Sequence, residues 1–235
     1  NMKTVKLLAF LSLVWMLAAC GSVENAPLEP EAIVCGPFQP PSVSCPWGSK
    51  IISTNKYERA NDVEVGPDNS VYVLISSEGI LSGSIENPGF SGGNGYVRKY
   101  NKYGSVLWTT RLTYSAAARQ LEVDAQGNAY VLTRTTTSSY LSKINPSGNH
   151  LWLKFIANVE RSDLAMNMQG QPTVVVSQEN EYDIYGYNAS GTVVSYWGVY
   201  HSRGVVEDIA IDSNNSIYLV GSASSGDSFL YVLTS

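Results

Sequence analysis

From Asn61 onward the chain repeats itself, and this constrains the fold more than any local pattern. A repeated unit too small to hold its own core must bury its apolar face against its neighbour. Two sub-motifs alternate. The first is an alternating apolar strand, an Asp/Asn/Gly turn and a second strand, as in Leu121-Glu122-Val123-Asp124-Ala125-Gln126-Gly127-Asn128-Ala129-Tyr130-Val131, and it recurs at 62–74, 164–174 and 209–219. The second is a hairpin built on Asn-x-x-Gly at 96–108 and 140–152, with a looser copy at 183–194. An Asn that opens such a turn bonds forward to the backbone, and the Gly takes the positive φ that closes the hairpin with a bulge.

Taking Val65, Val123, Met166 and Ile211 as equivalent gives spacings of 58, 43 and 45 residues. Two hairpins per period of that length make a four-stranded blade. The long first interval is accounted for by a Gly/Ser-rich insertion from Ser76 to Gly95, read as a loop. The expected fold is all-β, a β-propeller of four-stranded antiparallel blades over 47–235, with four repeats visible and the last incomplete. The fourth copy ends on a third strand at 227–233, while 47–54, beginning at Trp47, has the character of an outermost strand placed before the first repeat. Two closures stay open: a four-blade ring latched by that N-terminal strand, or a fragment of a larger propeller. The second is favoured, because so small a ring strains the packing between blades and because Asn1 precedes a start-like Met2. Composition agrees with strands and turns: only 15% of residues are charged, with 15 Tyr and 20 Gly. A net charge of −5 argues against a nucleic-acid partner.

The N-terminus carries a different kind of signal. Met2-Lys3-Thr4-Val5-Lys6 is a short basic segment, and the apolar run from Leu7 to Ala19 is short for a bilayer span, so 1–19 reads as a signal peptide. Its end, Leu17-Ala18-Ala19-Cys20, resembles the lipobox of bacterial lipoproteins. That resemblance implies lipidation of the Cys20 thiol and cleavage just before it. Gly21-Ser22, with no Asp following Cys20, is similar to the sorting signal for the outer membrane or cell surface. Residues 20–46 form a Pro-rich tether, in which Cys35 and Cys45 would meet an oxidising compartment and are expected to form a disulfide. A metal pair is the weaker alternative there, since no His or further Cys lies near to complete a tetrahedral set.

The succession of apolar strand, Asp-x-x-Gly-Asn, Tyr-Val, Lys-Tyr/Ile-Asn-x-x-Gly and Leu-Trp resembles the bacterial seven-bladed β-propeller repeat (SBBP) family. The Gly-x-x-Leu-Trp element is also similar to quinoprotein-like propellers. The likeness covers about Trp47 to Ser235 and speaks to architecture far more than to function. Met168 and Pro172 weaken the third copy, and Tyr196-Trp197 sits displaced from the Trp position.

Three residues before each equivalent position stand Asp62, Gln120, Asp163 and Asp208. Innermost strands line a propeller's channel, so these four form a ring at its mouth. Either Asp62, Asp163 and Asp208 hold a divalent cation through oxygen ligands, or each carboxylate accepts a backbone N–H from the loop entering its strand. The second is the simpler reading, and no other cofactor is indicated. Arg59, Arg119, Arg161 and Arg203 cluster on the same connecting loops and either pair with those acids or make a mixed-charge recognition face. His201 lies in the loop before the fourth repeat, where propellers place binding residues, whereas His150 reads as a strand-edge residue. Trp108 and Trp152 occupy matching positions and read as packing between outer strands rather than as ligand platforms. There is no nucleophile elbow, phosphate-cradling loop or Cys/His cluster. The expected function is a non-enzymatic envelope lipoprotein, a scaffold for a protein or glycan partner. The alternative is a propeller lyase or hydrolase with a metal at the channel mouth.

Overall fold

A computed structural model describes residues 52–85, 94–114, 117–158, 161–177, 181–200, 204–223 and 225–234. The signal segment, Cys20, Cys35, Cys45, Trp47, His201 and Arg203 lie outside the described residues.

Among the described residues, sixteen strands fall into four sheets. The first blade contains β1 (Glu58–Val65), β2 (Val71–Ser77), β3 (Ser84–Ile85), β4 (Gly95–Tyr100) and β5 (Val106–Arg111), in the order β1-β2-β4-β5-β3. The second is β6 (Ala117–Val123), β7 (Ala129–Arg134), β8 (Ser139–Ile144) and β9 (His150–Ala157). The third is β10 (Arg161–Met166), β11 (Pro172–Ser177), β12 (Glu181–Tyr187) and β13 (Val193–Tyr200). The fourth has three strands, β14 (Gly204–Ile211), β15 (Ile217–Ala223) and β16 (Ser228–Leu233). The fold is thus an all-β propeller array of antiparallel meanders, with the incomplete last blade read from the repeat. Among the described residues no helix is long and apolar enough to cross a membrane.

The insertion between β2 and β4, expected to be a loop, is not wholly one, because Ser84 and Ile85 pair in parallel with Thr109 and Thr110 on the free edge of β5. Leu81 from the same insertion is buried with Ile52, Val73, Ile75 and Tyr96, so the outward face of the first blade is capped by its own chain. Residues 52–54, the described end of the segment expected to complete the last blade, form no strand, and Ile52 packs on the first blade instead.

The turns explain why the sub-motifs recur. In the first motif, Asp124 Oδ1 accepts the N–H groups of Gln126 and Asn128 at 3.0 and 2.8 Å. In the second, Asn145 Oδ1 accepts those of Ser147 and Asn149 at 3.0 and 2.9 Å. Asn101, Asn167, Asn188 and Asp212 do the same in their own turns. The residue three positions on carries a positive φ, and after Asp212 that residue is Asn215 rather than Gly; Asn69 takes the same place in the turn opened by Gly66. Asn is the side chain that best tolerates this region.

Between blades the strands alternate faces with period two, so both faces of a middle strand are buried. In β7, Ala129 and Val131 join Tyr72, Leu74, Val97 and Trp108 of the first blade. Tyr130 and Leu132, one residue out of phase, join Leu164, Val174 and Val176 of the third. A third cluster packs Val175, Tyr182 and Ile184 against Val206, Ile209 and Leu219 of the fourth. Trp108 Nε1 donates to Pro146 O of the next blade at 2.8 Å, and its ring lies where a Cβ on Gly148 (φ +88°) would stand, 2.9 Å away. Trp152 repeats the arrangement, donating to Ala189 O at 3.0 Å beside Gly191. Both tryptophans are therefore packing residues between outer strands.

Candidate functional site

The ring positions Asp62, Gln120, Asp163 and Asp208 fall at one register on the innermost strands, paired with Leu74, Leu132, Val175 and Val220. Three of them reach across to the following blade. Asp62 Oδ2 accepts the N–H of Leu121 at 2.9 Å, Gln120 Oε1 that of Leu164 at 2.7 Å, and Asp163 Oδ2 that of Ile209 at 2.8 Å. Each donor is one residue past the next ring position, so the row is a chain of identical latches. The partner is the next blade's inner strand, not the loop entering the residue's own strand. Asp62 adds a local bond as well, with Oδ1 accepting the N–H of Val63 at 2.8 Å. A buried N–H left unmet costs about 1–3 kcal/mol, which is reason enough for an acceptor at each of these positions.

The structure brings Asp163 and Asp208 together but not Asp62, which is turned into the first junction. Asp163 is buried and hydrogen-bonded to Asp208, and burial first, then that carboxyl's bond and charge, raise its pKa to about 7. Among the described residues no three His, Cys, Asp or Glu side chains stand close enough to hold a metal ion. The acids also have N–H groups or each other as neighbours, whereas a hard cation requires six or more converging oxygens. As placed, the donor set does not fit a divalent cation, the alternative weighed for Asp62, Asp163 and Asp208.

Beside the latches lies a cleft of about 580 Å³ lined by Arg119, Gln120, Arg134, Arg161, Ser162, Asp163, Val206 and Glu207. Two features of the strands aim these side chains. The register slips between Ala118 and Gln120 and again between Val206 and Asp208, making Arg119 and Glu207 the extra residues of β-bulges. A bulge bends the strand and redirects its side chain, here at the end of the blade. Arg161 opens β10 and Arg134 closes β7. Arg161 pairs with Glu207 of the next blade at 2.6 Å, both side chains being about half exposed. The Arg119 guanidinium has its pKa held below the ordinary value by partial burial, then by the positive fields of Arg134, Arg59 and Arg161.

Of the expected recognition face, then, Arg119, Arg161, Gln120 and Asp163 meet at one cleft, Arg59 adds its field from β1, and His201 and Arg203 are outside the described residues. Sequence reasoning missed Arg134 and Glu207. Arg134 sits on a second strand rather than an innermost one, but its pairing with Ala117, just ahead of Arg119, could have been read by aligning second-strand ends. His150 opens β9 with Nε2 3.3 Å from Arg111 O, in keeping with a strand-edge place, and burial lowers its pKa.

No protein-family model matches the chain, and no curated protein matches it. Solved structures of similar fold include a protein of unknown function from Bacteroides caccae, 14% identical with a TM-score of 0.42, covering 76% of this chain and 61% of that one. The Dos1 propeller is 11% identical with a TM-score of 0.49, over 76% and 45%. Virginiamycin B lyase from Staphylococcus aureus is 11% identical with a TM-score of 0.46, over 75% and 59%. This chain spans about half to three-fifths of the length of these structures. The likeness concerns the propeller fold alone.

Proposed function

We propose that this protein is a non-enzymatic binding scaffold of the bacterial envelope, lipidated at Cys20, tethered to the outer membrane or cell surface by residues 20–46, and presenting its blade ends to a protein or glycan partner. The observation that carries this reading is the division of labour at the channel end. The ring side chains that would serve a metal-dependent enzyme are engaged between blades, while the adjoining cleft, which Gln120 and Asp163 also line, carries guanidinium groups suited to recognition. Rigid strands fixed at three junctions support that cleft, as a binding site requires.

Two measurements test the reading. Cys20→Ala is expected to move the protein from the membrane fraction to the soluble fraction; retention of the variant in the membrane overturns the anchor. Thermal unfolding is expected to be the same in EDTA and in calcium, and a calcium-dependent rise in Tm lost in Asp163→Ala restores the metal-dependent alternative.

A further inference from the structure

Three aromatic side chains lie side by side at the end of the second blade where Arg119 and Arg134 also stand. Tyr114, in the connection after β5, stacks on Tyr140 near the start of β8, with ring centroids 5.1 Å apart and planes 25° apart. Tyr140 meets Phe155, near the end of β9, edge to face at 5.7 Å. Tyr114 and Phe155 are 55% and 56% exposed, and Tyr140 is half-buried between them. The repeat does not account for this row. By strand register Tyr140 and Phe155 correspond to Tyr96 and Arg111 in the first blade and to Asp183 and Gly198 in the third, so neither neighbouring blade carries the aromatic pair.

Two backbone irregularities hold the row in place. Tyr114 has φ +47°, a region that is costly for a bulky side chain, whereas the other non-glycine positive φ values among the described residues belong to Asn69 and Asn215. Leu112 and Thr113 are buried just before it, so the chain is anchored there while the phenol ring is turned outward. Between β8 and β9 the register slips from Ser139 to Tyr140, which makes Ile156 a bulge residue and sets Phe155 directly opposite Tyr140. The outer hairpins of the first and third blades have no slip at this end. One stacked pair returns about as much as the Tyr114 backbone costs, so stability does not explain the ledge. Conformations held against strain cluster at ligand sites.

Size and surroundings choose between partners. Three half-exposed aromatic side chains present a few hundred Å² at most, well short of the roughly 800 Å² that each partner gives to a standard protein interface. The bordering segments, Thr135-Thr136-Thr137-Ser138 and Asn158, bring hydroxyls and an amide and no charge, and Ser138 Oγ donates to Asn158 Oδ1 at 2.8 Å. A pyranose has the matching form, with C–H groups on one face that settle on the negative face of an aromatic ring and hydroxyls around its edge. We infer that Tyr114, Tyr140 and Phe155 form a stacking ledge for a neutral glycan, whose sugar faces lie on the rings and whose hydroxyls meet the neighbouring Thr, Ser and Asn side chains. This rests on the scaffold reading and selects the glycan from its two partner classes.

Isothermal titration calorimetry on the full chain, with cellohexaose, chitohexaose and maltohexaose as probes, tests this. At least one should bind with a Kd below about 1 mM, unchanged between low and physiological salt because no charge takes part. Phe155→Ala should weaken binding on the order of tenfold, the usual loss when one stacking ring is removed. Tyr114→Gly removes the ring and accepts φ +47° without strain, so it should abolish binding while Tm stays within about 3 °C of the wild type. Tyr103→Ala, which removes a 70% exposed ring from the Asn101 turn of the first blade, should bind as the wild type does. If none of the oligosaccharides binds, or binding survives Tyr114→Gly, the inference is overturned. Binding of decaproline instead of the sugars, lost in Tyr114→Gly, overturns it in favour of a peptide. Absence of glycan binding alongside Cys20-dependent membrane retention and a metal-independent Tm sinks this inference and leaves the scaffold standing. A calcium-dependent Tm lost in Asp163→Ala sinks the scaffold reading itself.

Discussion

Replacing Asp163 by Asn should change how stability depends on pH while leaving the junction's geometry in place. Asn keeps an oxygen for the Ile209 N–H and offers an amide donor to Asp208. In the wild type the folded-state pKa of Asp163 is about 7, against roughly 3.9 for an unfolded Asp. Between those values the folded chain holds a proton that the unfolded chain has released. The contribution to stability is therefore fully present below about pH 3.9 and is lost as pH rises through 7, with a slope of up to ~1.4 kcal/mol per pH unit. The total expected over the window is on the order of 2–4 kcal/mol. His150 works in the opposite direction: its lowered pKa removes stability as pH falls, but equally in both proteins, so it cancels in the difference. Urea unfolding followed by tryptophan fluorescence at pH 4.5, 6 and 8 gives the comparison. The Asp163→Asn variant and the wild type should be close at pH 4.5, and at pH 8 the variant should be the more stable. A difference that does not change with pH would falsify the assignment of the raised pKa to Asp163.

Other substitutions test the packing between blades. Trp108→Ala should cost about 3–5 kcal/mol, and Trp152→Ala less because its ring is only partly buried, as read from chemical denaturation. Gly148→Ala should cost about 1–3 kcal/mol, since it forces a Cβ to within 2.9 Å of Trp108 at φ +88°, whereas Gly226→Ala, at φ +90° with open space around it, should cost only about 1 kcal/mol. Leu141 and Leu230 hold equivalent places on third strands, with exposures of 0% and 62%, so Leu141→Ala should cost about 2–5 kcal/mol and Leu230→Ala under about 1 kcal/mol. Equal losses at the two sites would refute the uncovered state of the fourth blade's outer face.

The blades were legible because their turn chemistry is local. An Asp or Asn that bonds two and four residues ahead declares itself within one short stretch of chain, as at Asp124 and Asn145. The tryptophans were legible for a related reason, since Trp108 and Trp152 each follow the same Gly-x-x-Leu and dock on the same turn of the next blade. The strand Ser84–Ile85 was not, because a two-residue parallel pairing belongs to no repeat and leaves no alternation to read. The ring was found, but not its partners. The latch from Gln120 to Leu164 joins residues 44 apart in sequence, a relation fixed only once successive blades are stacked. Arg134 was hidden by the same geometry: it is far from Arg161 along the chain and shares the cleft wall with it only after folding.

The fourth blade differs from its fellows in one respect that bears on how the molecule behaves. Val175 and Ile184 on the third blade are 1% and 0% exposed, while their counterparts Val220 and Leu230 are 41% and 62% exposed, and the first blade covers its own outward face with Ile52 and Leu81. Over residues 52–234 the array therefore has a covered face and an uncovered one. In a stack held by nearest-neighbour contacts, opening starts where a unit has one neighbour instead of two. In this 235-residue chain, amide hydrogen exchange should be fastest in β14 to β16 and slow progressively toward the first blade, as a zipper parts from its loose end. Because Val206 and Glu207 of β14 line the cleft, one of its walls belongs to the region that parts first.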